Sequence, residues 1–220
     1  MRFLGIWVDE ALKWTGQIEK VRSKVSRLLG VLGRVRPVLG GGLIKMLYNA
    51  MVLPHLQYCL IVWGDFQEGH NRLAGEYLLR HQKRFVGLIS EAKGKYHADP
   101  LFAKLGILKI EDLYRQQLRI YAWQFMKGFL PASQAILLSK ISEIHGHNTR
   151  SARRDFFVST SDQRSIGYRI PKEWQSIPDE VKKIGSLTGF KKKSKQEFID
   201  KYKSFHCKTS DCYICRHATE

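Results

Sequence analysis

Two groups of side chains in this 220-residue chain have types and spacings that can do chemistry. The first is Cys207-x4-Cys212-x2-Cys215, with His206 and His217 beside it. Two thiolates spaced Cys-x-x-Cys can reach one zinc ion at about 2.3 Å, and a third thiolate plus one imidazole would complete a tetrahedral set. Either His206 or His217 can supply that nitrogen. The whole set is compressed into one short segment, whereas zinc modules usually leave a longer spacer between ligand pairs. A tail of free thiols is therefore the competing reading. Zinc is the one cofactor to consider for this chain. The fourth cysteine, Cys59, stands alone in an apolar run. Four cysteines so placed do not make a disulfide framework for a chain of this size, which points to a reducing, intracellular compartment, cytoplasmic or nuclear.

The second group is cationic. Lys and Arg number 37 against 20 Asp and Glu, giving a formal net charge of +17. An excess of that size favours a polyanion as partner, because each cation near a phosphate releases a condensed counterion. Lys20, Lys24, Arg27 and Arg34 lie along one amphipathic segment, Lys83 and Arg84 on a second, and Lys191, Lys192 and Lys193 on a third. A helix that tracks nucleic-acid phosphates needs long cations on one face and an apolar face on the core. A merely solvated face is the plainer alternative, above all for Lys191, Lys192 and Lys193. Trp7 and Trp14 can stack on bases or pack in a core. The expected partner is RNA or an RNA–DNA duplex. No run of about 18 apolar residues exists, so neither a transmembrane helix nor a membrane partner is expected. Gly-x-Ser-x-Gly, Walker, His-Glu-x-x-His and dinucleotide signatures are all missing, and no small-molecule substrate is expected.

These residues need elements to hold them, and the hydrophobic fraction of 44% suffices for one mid-sized core. Residues 3–8 read as one strand with no partner. Ile18, Val21, Val25, Leu28, Leu29 and Leu32 recur at three- and four-residue steps, one face of a helix that Pro37 and the Gly40-Gly41-Gly42 triplet should end. Leu43, Met46, Leu47, Ala50 and Leu53 predict a second buried stripe, broken at Pro54. Residues 56–63 are almost wholly apolar and read as a buried helix or strand, with Tyr48, Tyr58 and Trp63 in the core. Asn71 can cap a helix over 72–89, with Leu73, Tyr77, Leu78, His81, Phe85 and Leu88 inward. Asp99-Pro100 opens another helix, and Gly128 closes one over 111–127. Residues 131–144 predict a further short helix. The character then shifts. Phe156, Phe157 and Val158, and the segment 166–170, read as short strands. Pro171 and Pro178 bracket a helical turn around Trp174. Ser186 can cap a last helix over 187–204.

The expected fold is mainly α. A helical bundle is preceded by one orphan strand and followed by a small α+β or partly disordered C-terminal module. The divisions fall at 1–10, 11–144, 145–206 and 207–220.

Several of these stretches, taken in order, resemble one family. Phe3-Leu4-Gly5-Ile6-Trp7-Val8-Asp9 with Leu12-Lys13-Trp14 is similar to the segment after the catalytic palm in jockey-like non-LTR (LINE-type) retrotransposon reverse transcriptases. Leu47-Tyr48, Leu53-Pro54, Ile61-Val62-Trp63-Gly64, Gln82-Lys83-Arg84, Asp99-Pro100-Leu101-Phe102 and Leu105-Gly106-Ile107-Leu108 match the stretches beyond it. His147-Asn148-Thr149-Arg150, Trp174-Gln175-Ser176-Ile177-Pro178 and Ser186-Leu187-Thr188-Gly189-Phe190-Lys191 match the tail of the same polyproteins. The resemblance covers nearly the whole chain, and its specificity lies in the ordered set. It implies a remnant of palm or primer-grip strand over 1–10, a thumb-like helical domain, and a primer-positioning role for Phe3, Leu4 and Gly5. Two-metal polymerisation needs carboxylates that hold paired Mg²⁺. The family carries them upstream of the Phe-Leu-Gly element, and this chain has no Asp-Asp pair. The resemblance therefore implies a fragment of an RNA-directed DNA polymerase that binds template–primer or element RNA. It would be inert alone, its Mg²⁺ belonging to a palm supplied elsewhere. A free-standing nucleic-acid-binding or protein-interaction module, retained by a host, is the alternative.

Overall fold

The computed structural model describes residues 1–66, 71–131, 133, 138, 155–156 and 165–203. It is mainly helical, with two short strands at the N-terminus. The chain forms two compact units, Met1–Tyr114 with Glu197–Glu220, and Arg115–Gln196. The divisions expected at 144/145 and 206/207, and all of the helix expected over 131–144 but residues 131, 133 and 138, lie outside the described residues.

In the first unit the expected orphan strand is a hairpin. Strand β1 (Arg2–Phe3) pairs antiparallel with β2 (Ile6–Trp7), Arg2 opposite Trp7 and Phe3 opposite Ile6. Leu4 and Gly5 turn it at φ 45° and 84°. Two successive left-handed residues make the two-residue turn whose twist suits a hairpin, and glycine takes one of them without strain. The strand thus supplies its own partner. Asp9 then caps the entry to the first helix, its carboxylate accepting from Lys13 N at 2.6 Å and Thr15 N at 3.2 Å.

Helix α1 (Thr15–Leu47) buries Ile18, Val21, Val25, Leu29 and Leu32, with Leu28 half-buried at the margin. It runs through Pro37, and of the glycine triplet only Gly40 leaves helical geometry (φ 67°, ψ 170°), so the chain kinks where it was expected to stop. A π-helical turn (Tyr48–Val52) follows, then α2 (Leu53–Gln57), with Pro54 in its first turn, and α3 (Leu60–Trp63). The core positions here are Ile44, Tyr48, Val52, Leu56 and Leu60, spaced by four and wholly buried. In a straight α-helix that spacing drifts by about 40° per step. The wider π turn takes up part of the drift. The stripe expected inside is consequently corrected: Leu43, Met46 and Ala50 are exposed.

Helix α4 (Asn71–Ile89) lies along α1 in the same direction, Arg22 meeting Tyr77 near one end and Arg36 meeting Glu91 near the other. Its inner face is Leu78, Gln82, Phe85, Val86 and Ile89. Leu73 and Tyr77 are exposed and His81 and Leu88 only half-buried, which corrects the inner face expected from periodicity. The face turns because Gln82 is buried. Its Nε2 donates to Tyr48 Oη at 3.2 Å and Leu108 O at 3.1 Å, and its Oε1 accepts from Ile110 N at 2.7 Å. Helix α5 (Ala98–Leu105) ends at left-handed Gly106, and α6 (Ile110–Met126) is followed by left-handed Gly128. Tyr202 hydrogen-bonds Asp112 and accepts from Lys109 N at 3.2 Å.

The second unit takes the rest of α6, α7 (Ile166–Gln175), α8 (Asp179–Lys182) and most of α9 (Leu187–Lys203). Its core is aromatic: Trp123, Phe125, Phe156, Trp174 and Phe190 are buried and meet ring to ring. The strand expected over 166–170 is the first half of α7. Ile170 and Trp174 are four residues apart and both buried, so helical burial outweighs the hydrogen bond that Pro171 removes. Phe157 and Val158 lie outside the described residues. Ser186 caps α9 as expected, its Oγ accepting from Gly189 N at 3.2 Å.

Candidate nucleic-acid interface

Lys20, Arg27 and Arg34 are exposed and lie seven residues apart along α1. Seven residues are nearly two turns, so the three stand in a row spaced by about 10 Å. The opposite side of the same helix is the buried stripe of Val25, Leu29 and Leu32. Lys24 is exposed to one side of the row. Its charge, after burial, helps to lower the pKa of His55. Lys20 Nζ sits 3.6 Å from the centroid of the Trp7 ring, a cation–π contact that spreads the positive face onto the hairpin. Trp7 N in turn donates to the buried Gln17 Oε1 at 3.2 Å. Among the described residues no carboxylate forms an ion pair with Lys20, Lys24, Arg27 or Arg34. Glu19 instead engages Arg22 at 2.8 Å.

Lys83 and Arg84 are exposed on α4, together with Arg80. The Tyr77 ring is flanked by Arg80 at 5.3 Å and Arg22 at 5.6 Å, joining the cations of the two helices around one aromatic. The Tyr77–Arg80 spacing is legible as neighbours on one helix. The approach of Arg22 is a tertiary contact with no local signal.

Phe3, Leu4 and Gly5 form the tip of the hairpin, with Phe3 and Leu4 exposed. Tyr58 fixes the tip: its hydroxyl donates to Leu4 O at 2.6 Å. Tyr58 was expected in the core, and it is 51% exposed, because the hydroxyl must leave the core to reach that carbonyl. Tyr48 and Trp63, expected beside it, are wholly buried. Trp14 is half-buried in a left-handed conformation at the start of α1.

No protein-family model matches the chain, and no characterised protein or solved structure matches it significantly.

Lys191, Lys192 and Lys193 are exposed on α9 in the second unit, where Gln116 Nε2 donates to Lys191 O at 3.3 Å. Cys207, Cys212, Cys215, His206 and His217 lie outside the described residues. Among the described residues, no group of three His, Cys, Asp or Glu side chains is placed to hold a metal ion, and no helix is long and apolar enough to cross a membrane. What the first unit offers chemically is long cations on helices, with Lys20, Arg22 and Arg80 beside aromatic rings. Such surfaces bind phosphates and stack on bases.

Proposed function

We propose that the chain is an intracellular nucleic-acid-binding segment that holds RNA or an RNA–DNA duplex by its phosphates and does not polymerise by itself. The observation that carries this reading is the row of Lys20, Arg27 and Arg34 on the solvent side of α1, opposite the buried stripe and without carboxylate partners among the described residues. The helix backbone fixes the spacing of the three cations, and each phosphate they neutralise releases a counterion. The reading agrees with the resemblance to jockey-like reverse transcriptases, in which this helix corresponds to the thumb and the Phe3-Leu4-Gly5 turn lies near the primer grip. The Mg²⁺-binding carboxylates of such an enzyme would then sit on a palm supplied elsewhere.

A second reading, a protein-interaction module, is favoured by one observation. Val38, Leu43 and Met46 are large apolar side chains left exposed on the later part of α1. Binding of the purified chain to a labelled RNA–DNA duplex and to single-stranded RNA, with nucleotide incorporation followed in parallel, separates the two. Binding without incorporation is expected. Absence of binding at low salt would overturn the nucleic-acid reading in favour of the second. Incorporation free of contaminating polymerase would overturn the claim that the chain is inert alone.

A further inference from the structure

Where the end of α4 faces α1 there is a cleft of about 360 Å³, within the size range of ligand pockets. Arg36, Arg84 and Lys93 line it, with Glu91 as the one carboxylate. We infer that this cleft is a binding pocket for a phosphate monoester. The inference does not depend on the outer row of α1, and it adds a phosphorylated ligand to a chain whose sequence suggested no small molecule.

Four observations converge on the site. First, three cations against one carboxylate leave an excess of two positive charges, which matches the nearly dianionic charge of a phosphate monoester better than the single charge of a backbone phosphodiester. Second, Arg36 is already oriented. Its Nη2 lies 3.0 Å from Glu91 Oε2, and that contact holds the planar guanidinium against the helix pair. Third, Arg36 Nε is buried and has no hydrogen-bond partner among the described residues. A buried guanidinium N–H without an acceptor is unfavourable, and a phosphate oxygen is the acceptor that the guanidinium fork suits best. Fourth, the backbone is shaped for the purpose. Glu91 adopts φ 57°, a conformation that glycine takes far more readily, and this turns the chain out of α4 toward Arg36. Gly33 leaves open space on the α1 wall. At Gly87 the Tyr96 hydroxyl lies where a Cβ would stand, and it donates to Lys83 O at 3.1 Å, which closes the loop side.

The phosphate can arrive on a free phosphorylated compound or on the 5′ end of a strand. The test titrates the full chain with inorganic phosphate, followed by ³¹P NMR. It then compares one short RNA carrying a 5′-phosphate with the same RNA carrying a 5′-hydroxyl. Saturable one-site phosphate binding is expected, weakened about tenfold by Arg36→Gln and by Arg84→Gln, the scale of one charge-assisted hydrogen bond. Lys104→Gln, the same charge change at an exposed site on α5, should leave it unaltered. Arg84 is exposed, so its variant remains informative even if Arg36→Gln lowers the melting temperature. Tighter binding of the 5′-phosphorylated RNA, lost in Arg84→Gln, would assign the pocket to a strand end. Equal RNA binding alongside saturable phosphate binding would assign it to a free phosphorylated compound. Absence of saturable phosphate binding, or equal weakening by Lys104→Gln and Arg84→Gln, would overturn the pocket.

Discussion

Arg119 Nε donates to Glu173 Oε1 at 2.7 Å inside the second unit, and the guanidinium is only 1% exposed. Arg115 Nε holds the other carboxylate oxygen at 2.9 Å, and Ser176 and Ser194 hydroxyls accept from the remaining Arg119 nitrogens at 3.3 and 3.4 Å. A buried charge is tolerable when its partner and its donors are all engaged. Removing one partner leaves the other charge uncompensated. Glu173→Gln should therefore destabilise the chain by about 3–5 kcal/mol, read as a lower urea midpoint. The double change Arg119→Met with Glu173→Leu should recover part of that loss, since Arg115, which is partly exposed, still loses its carboxylate.

Gln82 joins three parts of the first unit: Tyr48 on the π turn, Leu108, and the first residue of α6. Gln82→Leu keeps the volume but strands the Ile110 N–H and the Leu108 carbonyl. The expected cost is about 2–3 kcal/mol. Amide hydrogen exchange at Ile110 should accelerate more than exchange within the middle of α1.

Burial raises the Tyr48 pKa to about 12, although the Gln82 hydrogen bond pulls the other way. Tyr202 is raised as well, by burial and then by the Asp112 carboxylate. A phenol with a raised folded-state pKa contributes its stability fully below the unfolded value near 10, and that contribution fades as pH climbs toward the folded value. The unfolding free energy from urea titrations should be steady between about pH 7 and 9 and fall between about pH 10 and 12, by about 2–3 kcal/mol from Tyr48 alone. Tyr48→Phe should remove that part of the fall.

The buried face of α1 and the Ser186 cap were legible because local spacing alone determines them. The exposed row of Lys20, Arg27 and Arg34 followed for the same reason, as the opposite side of an apolar stripe. Gln82 was not legible: a glutamine beside Lys83 and Arg84 looks like surface until three partners from other elements enclose it. The stripe of Leu43, Met46 and Ala50 misled because periodicity assumes 3.6 residues per turn, and the π turn shifts burial to Ile44, Tyr48 and Val52. Segment 166–170 misled because a few apolar residues before a proline fit strand and helix equally well, and only the packing of Ile170 and Trp174 decides. The phosphate pocket draws Arg36 and Arg84 together across nearly fifty residues of chain, so it arises only once α1 and α4 lie side by side.

On the proposed function, the outer face of α1 meets nucleic-acid phosphates. The most direct test is the salt dependence of duplex binding by the wild-type chain and by the triple variant Lys20→Gln, Arg27→Gln, Arg34→Gln. Each neutralised phosphate contributes about −0.9 to the slope of log K against log salt, so the variant should lose about three units of slope and bind more weakly at low salt. A variant with the wild-type slope and affinity would show that Lys20, Arg27 and Arg34 do not meet the phosphates.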